Sequence, residues 1–240
     1  PHESVDFTGK RVAVIGTGST GIQSIPKFAK QAEELFVFQR TANHCVPAQN
    51  GPMDQETERT YKSRYVEMRE KARHSISGDV VPEAYVTIMD LTYKELTKEL
   101  DRTWGQGGVY AQYPYADLFV SRRANERVAS YSRDHIRGRV NDPQTAELLC
   151  ANDHPFGTKR LCADSFYFET FNEDHVHLVD LRTTPIRVIN ETGLATIDRH
   201  YDIDAIVFAT GFNAMTGALT NVDIRGREGT PLNDVWTGGP

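Results

Sequence analysis

Near the start of the chain, Gly16-Thr17-Gly18-Ser19-Thr20-Gly21 sets three glycines at the spacing G-x-G-x-x-G. Each glycine has its own task. The first permits a tight turn out of a strand. The second leaves the backbone bare where a pyrophosphate must approach, and the third lets a helix pack closely on that strand. A helix opening here offers free N–H groups and the positive end of its dipole to an anion. The spacing alone is a weak signal. With a strand before it and a helix after it, it reads as a dinucleotide-binding turn. Gln23 follows in the first turns of that helix. Arg40 lies nineteen positions after Gly21, where NAD-binding sites carry an acid for the ribose 2′-hydroxyl. An acid there would repel a 2′-phosphate, whereas arginine offers a donor fork and a permanent charge. With the Thr41 hydroxyl beside it, Arg40 favours NADP over NAD.

Two further clusters are less decisive. Phe156-Gly157-Thr158-Lys159-Arg160-Leu161 sets two cations behind a glycine and a threonine. In a loop both could meet a ligand, but by composition alone a solvated basic turn is the stronger reading. Ala205-Ile206-Val207-Phe208-Ala209 is a buried-strand run ending in Thr210-Gly211. Its small residues suit a close approach to a cofactor or a neighbouring domain, and equally a plain strand and turn. His175 and His177 alternate along a strand with no third ligand nearby, which fits a strand-face pair better than a metal site. Ser19 and Ser24 lie in no nucleophile elbow. Trp104, Trp236 and the aromatic run 110–115 read as packing rather than a base-stacking platform.

The elements that must position these residues can be read from periodicity. Residues 11–15 form an apolar, β-branched strand, residues 22–32 a helix with Ile22, Ile25, Phe28 and Ala29 on one face, and residues 34–39 a second strand. Pro26 would sit in the early part of the helix, where few backbone donors are committed. Residues 48–152 lack a good strand and read as a helical insertion, with helices over 54–74, 83–104 and 116–137 broken by Gly105-Gln106-Gly107-Gly108. Strands return at 176–180, 186–189, 194–197, 200–203 and 205–209, with a hairpin turn at Glu191-Thr192-Gly193. The fold class is therefore α/β: a Rossmann-like parallel sheet with a small antiparallel β-meander and a helical insertion. The expected division is 8–47 and 153–212 for the two parts of the nucleotide-binding domain and 48–152 for the insertion. Residues 213–240 would connect to a further domain.

Bulk composition bounds the function. The 240 residues carry a net charge of -6, with 39% hydrophobic and 25% charged side chains, which suits a globular domain with a substantial core. No basic tail or stripe suggests a nucleic-acid partner. No run of about 18 apolar residues suggests a membrane span. Cys45, Cys150 and Cys162 are scattered and odd in number, which fits free thiols in a reducing, cytoplasmic setting. Since the first residue is Pro1, the chain is expected to be a segment of a longer protein.

Five segments, taken together and in order, resemble the Baeyer–Villiger monooxygenases of the phenylacetone and cyclohexanone monooxygenase type. They are Val-Ala-Val-Ile-Gly-Thr-Gly-Ser-Thr-Gly-Ile-Gln at 12–23, Phe-Val-Phe-Gln-Arg-Thr at 36–41, Phe-Gly-Thr-Lys-Arg-Leu-Cys at 156–162, Glu-Thr-Phe-Asn at 169–172 and Ile-Val-Phe-Ala-Thr-Gly-Phe at 206–212. The resemblance implies an enzyme that binds FAD, reduces it with NADPH and inserts one atom of O2 into a ketone to give an ester or lactone. It implies that Arg160 lies near flavin and nicotinamide and stabilises the anionic peroxide formed there, because preorganised charge at a developing oxyanion lowers its energy. It implies that Lys159 joins Arg40 and Thr41 at the 2′-phosphate. The cofactor-binding set is then Gly16, Thr17, Gly18, Ser19, Thr20, Gly21, Gln23, Arg40, Thr41, Lys159, Ala209, Thr210 and Gly211. The flavin site and the family's catalytic aspartate are expected in a domain of the same polypeptide outside this chain, and the 240 residues alone are expected to be inactive. Asn213 stands where the family's pattern has an aspartate. The competing readings are an N- or S-oxygenating flavin monooxygenase and a non-catalytic NADPH-binding module.

Overall fold

A computed structural model describes residues 5–75, 78–80 and 84–240. The apolar run before the glycine turn forms β1 (Arg11–Ile15), whose Val12, Ala13 and Val14 are completely buried. A strand with no polar face must be covered on both sides, and β1 lies inside a four-stranded parallel sheet ordered β5-β2-β1-β9. Its neighbours are β2 (Glu34–Gln39) and β9 (Ala205–Phe208), and β5 (Val176–Asp180) lies beyond β2. Asp204 fixes the β1–β9 register at its lower end. Its carboxylate accepts from the Arg11 backbone N–H at 2.9 Å and from Arg11 Nε and Nη2 at 3.0 and 2.8 Å. The chain leaves β1 toward β2 on one side and returns to β9 on the other. The carboxyl ends of β1 and β9 therefore flank the point where strand order reverses, which is where open α/β sheets form their ligand crevice.

The first helix, α1 (Ser19–Phe28), begins three residues earlier and ends four residues sooner than the apolar periodicity predicts. Pro26 is accordingly not in the first turn but well inside the helix, and buried. A proline there withholds one backbone hydrogen bond, and α1 runs only two residues beyond it. The connection from β2 to β5 contains two short strands that hydrophobicity did not reveal, β3 (Cys45–Pro47) and β4 (Cys162–Asp164), which pair in parallel.

Between β3 and β4 the described residues form five α-helices. The long charged helix expected over 54–74 is two, α2 (Gln55–Ser63) and α3 (Tyr65–Arg73), broken at Arg64, with Asp54 capping the first. The helix expected from 83 begins only at Tyr93: α4 (Tyr93–Gln106) is started by a Thr92–Glu95 capping box, and residue 83 lies outside the described residues. Likewise α5 (Arg122–Arg137) starts six residues later than expected, at the Ser121 cap, and α6 (Pro143–Leu149) was not anticipated. In both late starts the capping side chain, not the apolar pattern, sets the boundary. α4 and α5, with the segments around them, enclose a core of their own that includes Ile88, Leu96, Leu100, Leu118, Val128 and Phe156, whereas α6 packs Ala146 and Leu149 into the core under the main sheet and α2 and α3 bury none of their residues. The antiparallel meander β6 (Ile186–Asn190), β7 (Gly193–Thr196) and β8 (His200–Asp202) packs Leu194 and Tyr201 on Ala13 and Phe38 of the main sheet. Two four-residue helices, α7 (Gly217–Thr220) and α8 (Leu232–Val235), follow β9. Among the described residues no helix is long and apolar enough to cross a membrane.

Candidate functional site

The glycine turn closes on the end of β9. Gly16 has φ +106°, in the left-handed region that favours glycine, and a β-carbon there would lie 2.5 Å from the Ala209 carbonyl oxygen. A β-carbon at Gly21 would lie 2.2 Å from the Gly16 carbonyl oxygen and 3.7 Å from the Ala209 β-carbon. Three small residues from two distant segments thus pack backbone to backbone at the mouth of the crevice. Gly18 differs: its φ is -80°, and a β-carbon there would meet nothing within 4 Å. The fold does not require glycine at 18, so the bare backbone there leaves open space above the helix end. No side chain caps α1, and no acid occupies its first turn. An uncapped, acid-free N-terminus at a topological switch point has the donors and dipole for a pyrophosphate.

The segment after β2 is tied to this turn. The Thr17 hydroxyl donates to the Thr41 carbonyl at 3.0 Å, and Asn43 Nδ2 donates to the Thr17 carbonyl at 2.7 Å. Thr17 is buried, Thr41 half-buried, and Arg40 exposed just beyond the last residue of β2. The Leu181 N–H donates to the Gln39 carbonyl at 2.8 Å, so the strand ends carrying Arg40 and Arg182 are adjacent. Arg182 is not a free cation, because Asp180 holds its Nε and Nη2 at 3.0 and 3.3 Å.

The loop carrying Lys159 and Arg160 reaches the turn through β4. The Cys162 N–H donates to the His44 carbonyl at 3.2 Å, and the Ser19 hydroxyl lies 3.5 Å from Cys162 Sγ. Lys159 and Arg160 are both exposed. Asp153 lies near Lys159: its carboxyl is held below the usual range chiefly by the hydrogen bond with His154, and also by the Lys159 charge. Gly157, with φ +78°, packs against the Phe119 ring of the helical segment, where a β-carbon would come within 2.8 Å. This close approach anchors the cation-bearing loop on the helices. Beneath it His44 is buried, with Nε2 3.3 Å from the His154 carbonyl oxygen and Nδ1 without a hydrogen-bond partner. Burial is the main reason that the His44 pKa falls to about 4.

The structure thus brings Gly16, Gly21 and Ala209 into one contact, joins Thr17 to Thr41, and sets Ser19 against the strand that follows Lys159 and Arg160. Thr20 opens α1 beside Ser19, with its carbonyl accepting from the Ser24 hydroxyl at 2.6 Å. Thr210 and Gly211 are exposed beyond β9, Gly211 with φ +93°. Gln23 lies elsewhere: it is exposed and lines an open groove of about 1240 Å³ between α1 and the helices, with Trp104, Arg139 and Asp164. Sequence reasoning missed Asn43 and Cys162. An amide and a thiol immediately beside the cation-bearing segments were the available signals. Phe212 and Met215, at 95% and 94% exposure, project from the chain just after the crevice.

Comparisons with known proteins agree over the full chain. No protein-family model matches. The chain is 42% identical over 99% of its length to 2-oxo-Δ3-4,5,5-trimethylcyclopentenylacetyl-CoA monooxygenase from Pseudomonas putida. It is 33% identical, again over 99%, to a Baeyer–Villiger monooxygenase from Pseudooceanicola batsensis. In structure it matches OTEMO solved in complex with FAD and NADP, with a TM-score of 0.91 and 41% identity over 98% of the chain. The chain spans 44% of the length of each of these three proteins.

Proposed function

We propose, for a chain whose whole length matches part of the Baeyer–Villiger monooxygenases, that it is the NADPH-binding part of an FAD-dependent enzyme that converts a ketone to an ester or lactone using O2. The observation that carries the nucleotide assignment is the uncapped end of α1 closing on Ala209 at the switch point between β1 and β9. In this reading the backbone of residues 16–21 holds the pyrophosphate. Arg40, Thr41 and Lys159 hold the 2′-phosphate, two fixed charges and a hydroxyl that an unphosphorylated ribose would leave unused. Residues 8–47 and 153–212 form the nucleotide-binding part, 48–152 the helical insertion and 213–240 the connection to a flavin-binding domain of the same polypeptide.

When bound, FAD supplies the redox chemistry by which O2 is activated, and NADPH supplies the hydride. The chain's own task is to bind, orient and stabilise. Arg160, on a loop braced by Gly157 against the helices, presents a permanent charge to the flavin side of the site. A guanidinium held there lowers the energy of negative charge developing on the transferred oxygen at no reorganisation cost. Thr210, Gly211 and the exposed Phe212 and Met215 form the approach surface for the flavin-binding domain.

The complete enzyme tests this reading. Incubated with NADPH, O2 and in turn a cyclic ketone, an amine and a sulfide, it should give ester or lactone from the ketone as the main product. Preferential oxygenation of the amine or sulfide would move it to a different flavin monooxygenase class. Residues 1–240 incubated with FAD and desalted should be colourless yet bind NADPH by calorimetry. A stoichiometric yellow protein would show that the flavin site lies within this chain.

A further inference from the structure

Cys45 and Cys162 are register partners on the parallel strands β3 and β4. In-register residues on neighbouring strands project to the same face of the sheet, and adjacent strands lie about 4.8 Å apart. That spacing falls within the roughly 4.4–6.8 Å between α-carbons that a disulfide spans. The two side chains occupy the same core cluster, the Cys45 thiol donating to the Asn43 carbonyl at 3.5 Å and the Cys162 thiol to the Arg160 carbonyl at 3.9 Å. Ser19 at the start of α1 adds a third contact, its hydroxyl 3.5 Å from Cys162 Sγ.

We propose that Cys45 and Cys162 are a disulfide-forming pair oxidised by hydrogen peroxide, a modification site at the base of the nucleotide crevice. The thiolate of Cys162 attacks one peroxide oxygen, the O–O bond breaks, and hydroxide leaves with the Cys162 proton as water. Cys162 is then a sulfenic acid. The Cys45 sulfur attacks it, the S–O bond breaks, and a second water leaves with the Cys45 proton. Two thiols are oxidised and one peroxide is reduced to two waters.

The environment assigns the order of events. The neighbouring Cys45 thiol is the main influence lowering the Cys162 thiol, to about 7, with Ser19 and the Arg160 charge acting in the same direction against burial. The neighbouring Cys162 and complete burial raise Cys45. Cys162 is therefore the attacking sulfur and Cys45 the resolving one, and resolution needs no second oxidant to enter. Cys150 provides the internal contrast: it has no thiol partner, and burial raises it to about 11. The cross-link would join two segments of separate origin, one continuing from Arg40, Thr41 and Asn43, the other from Lys159 and Arg160.

The test is non-reducing peptide mapping of the purified full chain after treatment with hydrogen peroxide, with a free-cysteine peptide in the same tube as the oxidation control. Expected is a Cys45–Cys162 linked peptide reversed by dithiothreitol, and titratable thiols in denaturant falling from the three present to one, Cys150. In Cys45→Ser, Cys162 should stop at a sulfenic acid that dimedone traps. The proposal is overturned if the control peptide oxidises while Cys45 and Cys162 remain thiols, or if each is recovered as a separate sulfinic or sulfonic acid. Because the mapping uses the unaltered chain, its outcome does not depend on whether a variant folds.

Discussion

The Ala209 carbonyl oxygen lies 2.5 Å from where a β-carbon of residue 16 would stand, so the backbone at 209 leaves room only for glycine at 16. The second glycine faces nothing. Gly16→Ala should therefore destabilise the chain by about 2 kcal/mol or more, through positive φ and a backbone clash. Gly18→Ala should leave the urea midpoint nearly unchanged and still weaken NADPH. If Gly18→Ala unfolds the chain, or binds NADPH normally, the division between structural and ligand-facing glycines is wrong.

Arg40 is exposed and hydrogen-bonds to nothing among the described residues, so its removal costs the fold little. Arg40→Ala should weaken NADPH by about 1.5–3 kcal/mol, the scale of a charge-assisted hydrogen bond. NADH should be nearly unaffected. Equal losses for the two nucleotides in parallel calorimetric titrations would remove Arg40 from the 2′-phosphate site.

In the complete enzyme, Arg160→Ala should still permit reduction of the flavin by NADPH, while ester formation falls by about 10²–10³, the cost of one preorganised oxyanion contact. Stopped-flow spectroscopy separates the two half-reactions. Unchanged ester formation would show that the charge acts elsewhere.

His44 makes stability depend on pH. Its folded-state pKa of about 4 lies below the ordinary 6.5, so between these values the unfolded chain binds the extra proton. The resulting stability is fully present above pH 6.5 and is lost as pH falls through 4, on the order of 3 kcal/mol in all. His44→Phe replaces the imidazole with a somewhat larger ring that does not titrate and should flatten the slope of unfolding free energy against pH in this window. An unchanged slope would exclude His44 as its source.

Arg139 bridges the end of α5 to β4. Its guanidinium meets the buried Asp164 carboxylate at 2.6 Å and that of Glu169 at 2.6–2.7 Å, and lies over the Phe168 ring. Arg139→Ala strands the Asp164 charge and should cost about 3–5 kcal/mol. Adding Asp164→Asn should recover part of this, because the stranded charge is then gone. Strict additivity of the two in chemical denaturation would argue against a coupled pair.

The elements nearest the crevice were the most legible in the sequence. The apolar runs within 11–15, 34–39, 176–180 and 205–209 marked the strands of the main sheet, although β9, expected to be buried, is half-exposed at the end of the sheet with Phe208 63% exposed, and α1 begins inside the glycine turn, ahead of its apolar face. Helix starts at Tyr93 and Arg122 were misread because the stretches before Thr92 and Ser121 carry apolar residues, Ile88 and Leu118 among them, that fit a helical period, while the caps decide. The β3–β4 pair was invisible because three residues carry no periodicity, and their partners lie more than a hundred positions apart. For the same reason Cys162 could not be matched to Cys45 or Ser19. Gln23 was carried by the resemblance, and its position on α1 sets it in the groove with Trp104.

The insertion of α2–α6 between β2 and β5 has a kinetic consequence. The helices bury Ile88, Leu100, Leu118 and Phe156 among themselves through contacts close in sequence, while β2 can find β5, and β1 can find β9, only after very long loops close. Short-range contacts form first, and distant strand pairs pay their closure entropy late. The helical core should become protected from hydrogen exchange early in refolding, whereas amides of β1 and β9 follow. The crevice, made from the ends of those two strands, is then a late product of folding, and a bound nucleotide acts as the clasp that joins the chain's remote halves.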